Sequence, residues 1–316
     1  MKSKKGASKV IHNVLAFLVA LSLVALGGCA GATGSSEIPL KPTIASPAIA
    51  TDGVLRVGVD SGNAPYAGLD ENTKKIVGID VDIAAALAEE LGLKLEIVDT
   101  AGLNIDALLA EKTIDMVMAV EQVGSVTFRG TLVGPYVISG PALFTVVKSN
   151  TLPSVDIASL AGIKIAAQND SLSAWTLEEL IGTDTVDPRA SLKEAFQAVE
   201  SGEVSYAAAD AVVGSYLALE YKDLSCVKIL GTPIGVCMGV AADNTQLADA
   251  LTNALRTIRD NGVLKLVLSK WIGPVSAAVI MGSSAITSQG ANGLNDMDGS
   301  IDYGDDLPDP ALAGGV

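Results

Sequence analysis

Segments with the patterns of strands and helices alternate along residues 54–271, and this alternation limits the fold more than any other feature of the sequence. Residues 54–59 read VLRVGV, in which apolar side chains recur at every second position as in a strand. Ile83 and Leu87 share one face of a following helix, which Gly92 is placed to end. Because the exchange of strand and helix then repeats, we predict an α/β fold with largely parallel sheets.

The remaining predicted elements follow the same pattern. Further strands are predicted near residues 93–97, 114–119, 141–147, 163–167, 204–209, 227–230 and 236–241. Helices are predicted near 104–112, 172–181, 190–200, 211–222 and 246–271. The globular part is therefore expected to span residues 52–274, and a hydrophobic content of 49% is sufficient for its core.

The first residues have the composition of an export signal. Four lysines precede the uncharged run VLAFLVALSLVAL at 14–26, which is shorter than a helix that spans a membrane. Residues 26–29, LGGC, are similar to a bacterial lipobox, in which the cysteine becomes the lipidated first residue. We interpret 1–28 as a lipoprotein signal peptide and Cys29 as the lipidation site, with an uncleaved N-terminal anchor as the alternative. In either case the folded part is expected outside the cytoplasm, held at the bacterial cell membrane.

Histidine is missing from the expected mature chain, and this excludes several kinds of enzyme. The one histidine of the sequence, His12, lies in the predicted signal peptide. Without an imidazole the mature protein has no Ser-His-Asp or Cys-His mechanism and no histidine ligand for a metal. Most hydrolase mechanisms are therefore excluded for the mature chain, and we expect it to hold no metal and no cofactor.

Net charge and cysteine content restrict the partners of the protein. A formal charge of −15 argues against a nucleic-acid partner, since such proteins need basic surface to displace phosphate counterions. After Cys29 only Cys226 and Cys237 remain. In an oxidising compartment these two either form a disulfide or stay as two separate buried thiols.

Two segments of biased composition flank the globular part. Residues 29–51 are rich in Gly, Ser, Thr, Pro and Ala with little charge, which is typical of a flexible tether. Residues 275–316 are rich in Gly, Ser, Ala and Asp, which predicts a disordered acidic tail.

Asp80 and Asp82, in the segment GIDVDIAAALAEELG at 78–92, raise the possibility of a site with two carboxylates. The sequence offers no histidine and no third acid nearby at ligand spacing. Asp80 stands where an N-cap belongs, and Asp82 adds negative charge at the positive end of the helix dipole. We therefore interpret the pair as the start of a helix, in preference to a metal site or a catalytic pair.

Several segments resemble, in the same order, the amino-acid-type solute-binding proteins of ABC importers, which are family 3 of the extracellular solute-binding proteins. They are LRVGVD at 55–60, APY at 64–66, KIVGIDVDIAAALAEELG at 75–92, AEKTID at 110–115, GPYVISGPALFTVVK at 134–148, SLAGIKIAAQ at 159–168, SGEVSYAAAD at 201–210 and DNGVLKLVLSKWIG at 260–273. The resemblance covers nearly the whole globular part and rests on the order of the segments more than on any one motif.

This resemblance implies a two-lobed, type II periplasmic-binding-protein fold with two hinge crossings. Lobe one would comprise residues 52–140 and 236–274, and lobe two residues 141–235. Members of the family bind a small solute in the cleft between the lobes, close around it and deliver it to a membrane permease. The chain is thus expected to be an extracytoplasmic, lipid-anchored solute-binding protein for an amino acid or a related small polar solute. It is expected not to be an enzyme and to have no catalytic residue.

The resemblance also implies candidate residues for the ligand's ammonium group and side chain. Asp210 matches the aspartate that takes the ammonium, although a helix cap is the alternative. Asp60 matches a position that often reaches the ligand side chain, and its alternative is an acid in a turn. Glu121 stands where the family usually has a small or apolar residue, so it either favours a cationic ligand group or faces solvent.

The candidates for the carboxylate and for the aromatic clamp match the family less well. Arg129 is the arginine nearest to the family's carboxylate partner, and a surface arginine is the alternative. Ser171 is the candidate in the second-lobe loop that meets the carboxylate, where the glycine and threonine usual in the family are missing. Asn63 occupies a position where the family often has an aromatic clamp, and Tyr66 matches an aromatic that more often packs than clamps.

Two other functions share the same fold and stay open on the sequence alone. One is a bilobed lipoprotein that acts as a sensor or binds a partner protein and has lost transport, which the departures from the family pattern in the cleft favour. The other is an extracellular dehydratase of prephenate-like substrates, in which Glu121 or Asp210 would serve as the acid.

Overall fold

The computed structural model describes residues 40–122, 128–149 and 151–282 of the chain. Its strands are, in chain order, β1 (Val54–Val59), β2 (Gly68–Leu69), β3 (Ile76–Val77), β4 (Lys94–Asp99), β5 (Met116–Gln122), β6 (Thr131–Ser139), β7 (Pro141–Val146), β8 (Ile165–Gln168), β9 (Val186–Arg189), β10 (Tyr206–Asp210), β11 (Leu224–Ile229) and β12 (Ile234–Val240). Its helices are α1 (Ile79–Glu90), α2 (Ile105–Ala110), α3 (Leu172–Leu180), α4 (Leu192–Glu200), α5 (Ala211–Ala218), α6 (Thr245–Asp260), α7 (Val263–Ile272) and α8 (Pro274–Ile280).

The long strands form two five-stranded sheets. The first sheet has the order β4-β1-β5-β12-β6, and the second has the order β11-β7-β10-β8-β9. The chain passes from the first sheet to the second at Gly140, between β6 and β7, and returns between β11 and β12. The predicted architecture of two α/β lobes linked by two crossings is confirmed.

Both sheets are mixed, so the prediction of largely parallel sheets is wrong in this respect. β1 runs parallel to β4 and β5, whereas β12 runs antiparallel to β5 and β6. In the second sheet β8 is parallel to β9 and β10, whereas β7 is antiparallel to β10 and β11. The antiparallel strands flank the two crossings, where no helix intervenes to return the chain in the parallel direction.

The first sheet is covered by helices whose apolar faces follow the helical repeat. α1 buries Ile83, Ala84 and Leu87 against β1 and β4. The predicted helical region 246–271 is two helices, because Gly262 adopts the left-handed backbone conformation with φ +83° between α6 and α7. β6 and β9 were not predicted, and both contain a proline, which weakens the sequence pattern of a strand.

Asp80 does not cap α1, and the prediction that it does is wrong. The N-cap residue is Gly78, and the chain at residues 65–66 supplies the acceptors that a capping side chain would otherwise provide. The backbone N–H groups of Ile79 and Asp80 donate to the carbonyl oxygens of Pro65 and Tyr66 at 3.0 and 2.9 Å. A Cβ on Gly78 would lie 2.1 Å from the Tyr66 carbonyl oxygen, so this close approach requires glycine.

The predicted tether extends too far into the chain. Ile49 has no exposed surface and Ile44 is also buried. The backbone N–H of Ala50 donates to Asp115 Oδ1 at 2.9 Å, and that of Thr43 donates to the Leu91 carbonyl at 3.0 Å. The boundary at residue 51 is therefore wrong, because Ile44 and Ile49 pack in the hydrophobic core although the segment around them is small and polar.

The predicted acidic tail also begins too early. Residues 274–280 form α8, in which Ala277 and Ile280 have no exposed surface. Pro274 is at the first position of this helix, where a missing N–H is tolerated. The rest of the tail, the predicted signal peptide and Cys29 lie outside the described residues.

Cys226 and Cys237 are separate, buried free thiols, so the disulfide alternative is wrong. Cys226 lies on β11 in the second sheet, whereas Cys237 lies on β12 in the first sheet. Burial raises the pKa of the Cys226 thiol to about 12 and that of Cys237 to about 11. Both thiols are therefore protonated and unreactive at neutral pH.

Candidate ligand-binding site

A cavity of about 630 Å³ lies at the carboxyl ends of β1, β4 and β5. The chain continues from β1 to β4 on one side of β1 and returns to β5 on its other side. This is a topological switch point, where the loops after neighbouring strands separate and leave a crevice. The polar residues of its lining are Asp60, Asn63, Thr100, Asn104, Asp106 and Glu121.

Asp60 and Asn63 reach the cavity from the turn that follows β1. Asp60 Oδ1 accepts a 2.8 Å hydrogen bond from the backbone N–H of Gly62, and the Asn63 N–H donates to the Asp60 carbonyl at 3.1 Å. Asp60 is therefore an acid in a turn that also lines the cavity, and its contact with a ligand side chain stays a prediction. Asp99 fixes the same turn, since its Oδ2 accepts a 2.7 Å hydrogen bond from the Ser61 hydroxyl.

Glu121 lies near the end of β5 and its exposed side chain lines the cavity. Two residues earlier, Ala119 has φ +56°, and the pairing of β5 with β12 shifts its register at this place. Such a β-bulge increases the local twist and re-aims the side chains that follow it. Residues 118–121 all contribute to the lining.

Arg129 follows Phe128, which lines the cavity, but Arg129 itself is not a lining residue. Its backbone N–H donates to Asp106 Oδ1 at 3.3 Å. The lining thus contains three carboxylates, Asp60, Asp106 and Glu121, and no cationic side chain among the residues that the structure describes. A cavity with this lining attracts a cationic group and repels an anionic one.

Asp210 lies on the second sheet, at the end of β10, where it caps α5. Its Oδ1 accepts hydrogen bonds from the N–H groups of Val212 and Val213 at 2.9 and 2.8 Å. Its Oδ2 accepts a 2.8 Å hydrogen bond from the hydroxyl of Ser139, the last residue of β6. The cap that was the alternative for Asp210 is thus present, and its contact with an ammonium group stays a prediction.

Ser171 and Tyr66 both have structural contacts. Ser171 is the N-cap of α3, with its Oγ accepting a 3.1 Å hydrogen bond from the Ala174 N–H. Tyr66 is buried in the hydrophobic core. Burial and the nearby charge of Asp210 raise the pKa of Tyr66, whose hydroxyl interacts with Ser139. Tyr66 therefore packs in the core, and ligand contacts of Tyr66 and Ser171 both stay predictions.

Sequence patterns did not identify Thr100, Asn104, Asp106 or Ser139. Thr100 directly follows β4, so the rule that carboxyl ends of parallel strands meet at one edge of a sheet could have found it. Asn104 caps α2, its Oδ1 accepting from the Ala107 N–H, and Asp106 lies in the first turn of that helix. Ser139 carries no local signal, since its partner Asp210 is distant in sequence.

Residues 40–122, 128–149 and 151–282 contain no group of three or more His, Cys, Asp or Glu side chains that could hold a metal ion. In the same residues no helix has the length and apolar character needed to cross a membrane.

Comparison with known proteins places this architecture in a family. Residues 55–274 match the sequence profile of the bacterial extracellular solute-binding proteins, family 3. The chain is 25% identical to the L-cystine-binding protein of Bacillus subtilis, over 82% of this chain and 97% of that protein.

Two solved structures are also similar. An ancestral cationic amino acid solute-binding protein is 26% identical, with a TM-score of 0.53 over 70% of this chain and 96% of that one. An ancestral cyclohexadienyl dehydratase is 20% identical, with a TM-score of 0.59 over 70% of this chain and 92% of that one, a likeness that shows the fold alone. The chain therefore belongs to the bacterial extracellular solute-binding proteins, family 3.

Proposed function

We propose that the protein is a lipid-anchored solute-binding subunit of an ABC importer and that it binds an amino acid with a cationic side chain or a second ammonium group. The observation that carries this proposal is the cavity of about 630 Å³ at the switch point of the first sheet, with its three carboxylates. The relatives that are similar to this chain are described as binding L-cystine and cationic amino acids.

The polar groups at the cavity fit the two ends of such a ligand. Every amino acid carries an ammonium group, and L-cystine carries two. Asp60 and Glu121 would receive ammonium or guanidinium groups on the first sheet, and Asp210 would receive the α-ammonium from the second sheet. The ligand carboxylate would be met by Arg129 and by the Ser171 end of α3.

Binding from both sheets requires that they approach each other. We take the first sheet with helices α1, α2, α6 and α7 as lobe one and the second sheet with helices α3, α4 and α5 as lobe two, joined by the crossings at Gly140 and between β11 and β12. Rotation at these crossings would bring Asp210 and Ser171 towards the cavity of lobe one. The closed form is the one that a membrane permease would recognise.

The membrane anchor is a separate part of the proposal. Residues 1–28 would be removed and Cys29 would carry the lipid, so the mature protein would stay at the extracytoplasmic face of the cell membrane. Metabolic labelling with a radioactive fatty acid should mark the full chain and not its Cys29→Ser variant. Equal labelling of both chains would contradict the assignment of Cys29.

A non-catalytic role agrees with the charge of the cavity. Prephenate-like substrates of a dehydratase are carboxylates, which Asp60, Asp106 and Glu121 would repel. We therefore do not assign Glu121 or Asp210 as a catalytic acid, and we favour binding over turnover.

Calorimetry on the full chain in mild detergent tests the ligand class. Titration with L-arginine, L-lysine, L-cystine, putrescine and L-glutamate should give heat for cationic amino acids or L-cystine and none for L-glutamate. Glu121→Gln should weaken binding of the cationic ligands by about tenfold, the loss expected for one charge-assisted contact. Glu111→Gln is the matched control, because Glu111 is exposed at the end of α2 and lies outside the cavity lining. Binding of none of these compounds would refute the amino-acid class, and preferred binding of L-glutamate would refute its cationic part.

A further inference from the structure

Asp80 is a buried carboxyl that the ligand site described above does not use. It lies in the first turn of α1 with 1% of its surface exposed. Its Oδ1 accepts a 2.6 Å hydrogen bond from the hydroxyl of Tyr136 on β6, whereas its Oδ2 has no partner among the described residues. A buried carboxyl with an unsatisfied oxygen destabilises the fold, so stability alone does not explain its presence.

Tyr136 connects this carboxyl to the strand that lines the cavity. Its side chain is buried, and its hydroxyl oxygen accepts a 3.1 Å hydrogen bond from the backbone N–H of Ala119. Ala119 is the bulge residue of β5, with φ +56°. The hydrogen bonds therefore run in one direction, from the Ala119 N–H to the Tyr136 hydroxyl and from that hydroxyl to Asp80.

The bulge determines which side chains of β5 face the cavity. Between Val117 and Val120 the strand has one residue more than its partner β12, as the register shift shows. Side chains alternate between the two faces of a strand. If the bulge became regular strand, the register would shift by one residue and the side chains after it would turn to the other face. Glu121, two residues after Ala119, would be among those displaced.

We propose that Asp80 is a positioning residue of the ligand site, which acts through Tyr136 to hold the bulge at Ala119 and so the place of Glu121, and whose charge state alters the affinity for cationic ligands. The part that concerns affinity rests on the proposed function. The part that concerns the bulge does not.

The surroundings of Asp80 place its ionisation in the neutral range. Burial raises its pKa to about 7, against the opposing effect of the hydrogen bond from Tyr136. The ionisable groups that face it are the hydroxyls of Tyr136 on β6 and Tyr66 on the loop after β1, and burial beside Asp80 raises both their pKa values. From the adjoining elements, Asp82 is paired with Lys270 of α7 at 2.6 Å. Arg259 of α6 donates to the Pro135 carbonyl at 2.8 Å.

Ionisation of Asp80 affects both its hydrogen bond with Tyr136 and the binding of a cation in the cavity. A hydrogen bond to an ionised carboxylate is stronger than one to a neutral carboxyl, so the charged form of Asp80 holds Tyr136 more firmly. A cation in the cavity also favours the charged form, because interactions within a poorly solvated interior are weakly screened. Binding of a cationic ligand would therefore release a proton from Asp80 in neutral solution.

Nuclear magnetic resonance of the full chain without ligand tests the link itself. The backbone amide signals of Ala119 and Glu121 should titrate with a midpoint near pH 7, the value to which burial raises the pKa of Asp80. In Asp80→Asn this titration should disappear, and in Tyr136→Phe the Ala119 signal should move at every pH. Ser276→Ala is the control, since its hydroxyl is equally buried and accepts from the Cys226 N–H in the second sheet. Unchanged signals of Ala119 and Glu121 in both test variants would overturn the proposal, whether or not an amino acid binds.

Calorimetry with L-arginine then tests the effect on affinity. In the wild type the association constant should rise by roughly fivefold from pH 6 to pH 8, as expected for one weakly screened charge. Asp80→Asn keeps an oxygen acceptor for Tyr136, so it should bind like the wild type at pH 6 without the rise. Tyr136→Phe should bind about tenfold more weakly at both pH values, since it loses the bulge contact. A rise of equal size in Asp80→Asn would refute the role of its charge, and absence of any L-arginine binding together with titrating amides would refute the ligand class but not the link.

Discussion

Ser139 joins the two sheets through a single side chain at the first crossing. It is the last residue of β6, it is 5% exposed, and its hydroxyl donates to Asp210 Oδ2 at 2.8 Å. The other oxygen of Asp210 is held by two backbone N–H groups of α5. The carboxylate is therefore fixed in orientation before any ligand arrives, and such preorganisation lowers the cost of ordering on binding.

Replacing Ser139 tests this arrangement at the scale of one hydrogen bond. Ser139→Ala leaves Asp210 with its cap contacts but frees Oδ2, so the affinity for L-arginine should fall by roughly three- to tenfold. Isothermal calorimetry measures the change. Ser159→Ala is the control, because the Ser159 hydroxyl donates only to the local carbonyl of Asp156. Equal affinities of Ser139→Ala and the wild type would mean that Asp210 does not contact the ligand or needs no orientation.

The raised pKa of Asp80 also predicts how the free energy of unfolding depends on pH. Its pKa in the folded chain is about 7, above the ordinary value of 3.8 that applies to the unfolded chain. Between these values the folded chain holds a proton that the unfolded chain has released, so the free energy of unfolding falls as the pH rises through this range. The loss is on the order of 1.4 kcal/mol for each pKa unit.

Urea denaturation of the wild type and of Asp80→Asn from pH 4 to pH 8 measures this loss. The difference in stability between the two proteins should grow with pH in favour of Asp80→Asn and level off above pH 7, the folded-state pKa of Asp80. A difference that stays constant over the range would show that Asp80 ionises at its ordinary pKa in the folded chain.

Single residues of the site could be predicted from the sequence where a strand end or a family position marks them. Asp60 and Glu121 were identified in this way, and both line the cavity. The role of Asp80 was missed because its neighbours in sequence resemble a capped helix start, whereas Tyr136, which decides its contacts, is on β6. Ser139 was missed for the same reason. Side-chain contacts between distant segments leave no local pattern.

At the scale of elements, periodicity predicted the central strands and helices better than composition predicted the ends. The ends of α3 and α4 lie within two residues of their predicted positions. α1 buries Ile83 and Leu87 on one face, as their spacing predicted. The segments assigned to the tether and tail were judged by their content of Gly, Ser and Ala. Both contain a few apolar residues that pack on the sheets, among them Ile49 and Ile280. Composition averaged over a long segment hides such short anchors.

Large-to-small substitutions test whether these anchors contribute to the fold. Ile49→Ala and Ile280→Ala each remove a side chain with no exposed surface, so each should lower the free energy of unfolding by about 2–5 kcal/mol. Leu266→Ala is the control, because Leu266 on α7 is 72% exposed and should change stability by less than about 0.5 kcal/mol. Urea denaturation gives all three values. Losses for the isoleucines as small as that of the control would restore the tether and tail boundaries predicted from composition.

For the whole molecule, the resemblance to a family predicted what local patterns could not, namely that the chain crosses twice between two sheets. In the structure, a helix of each sheet also contacts the other through the side chains of Tyr216 and Trp271. Tyr216 is on α5, which packs on the second sheet, and Trp271 is on α7, which packs on α1 of the first. Their ring centroids are 6.4 Å apart, and the Trp271 indole N–H also donates to Asp82 at 2.7 Å. The hydrogen bond to Asp82 holds Trp271 on the first sheet. If one sheet rotates against the other, Tyr216 on α5 would therefore move relative to the Trp271 ring.

Trp271 can therefore report closure of the whole molecule in solution. The chain has two tryptophans, so Trp175→Phe leaves Trp271 as the single indole fluorophore. Addition of L-arginine or L-cystine to this variant should change the emission of Trp271, because Tyr216 moves relative to the ring when the lobes approach. The change should be lost in Trp175→Phe combined with Tyr216→Ala, while calorimetry still shows binding. If the emission stays constant on saturation of the single-tryptophan variant, the lobes do not rotate about these crossings, and the ligand is held by one lobe in the open form.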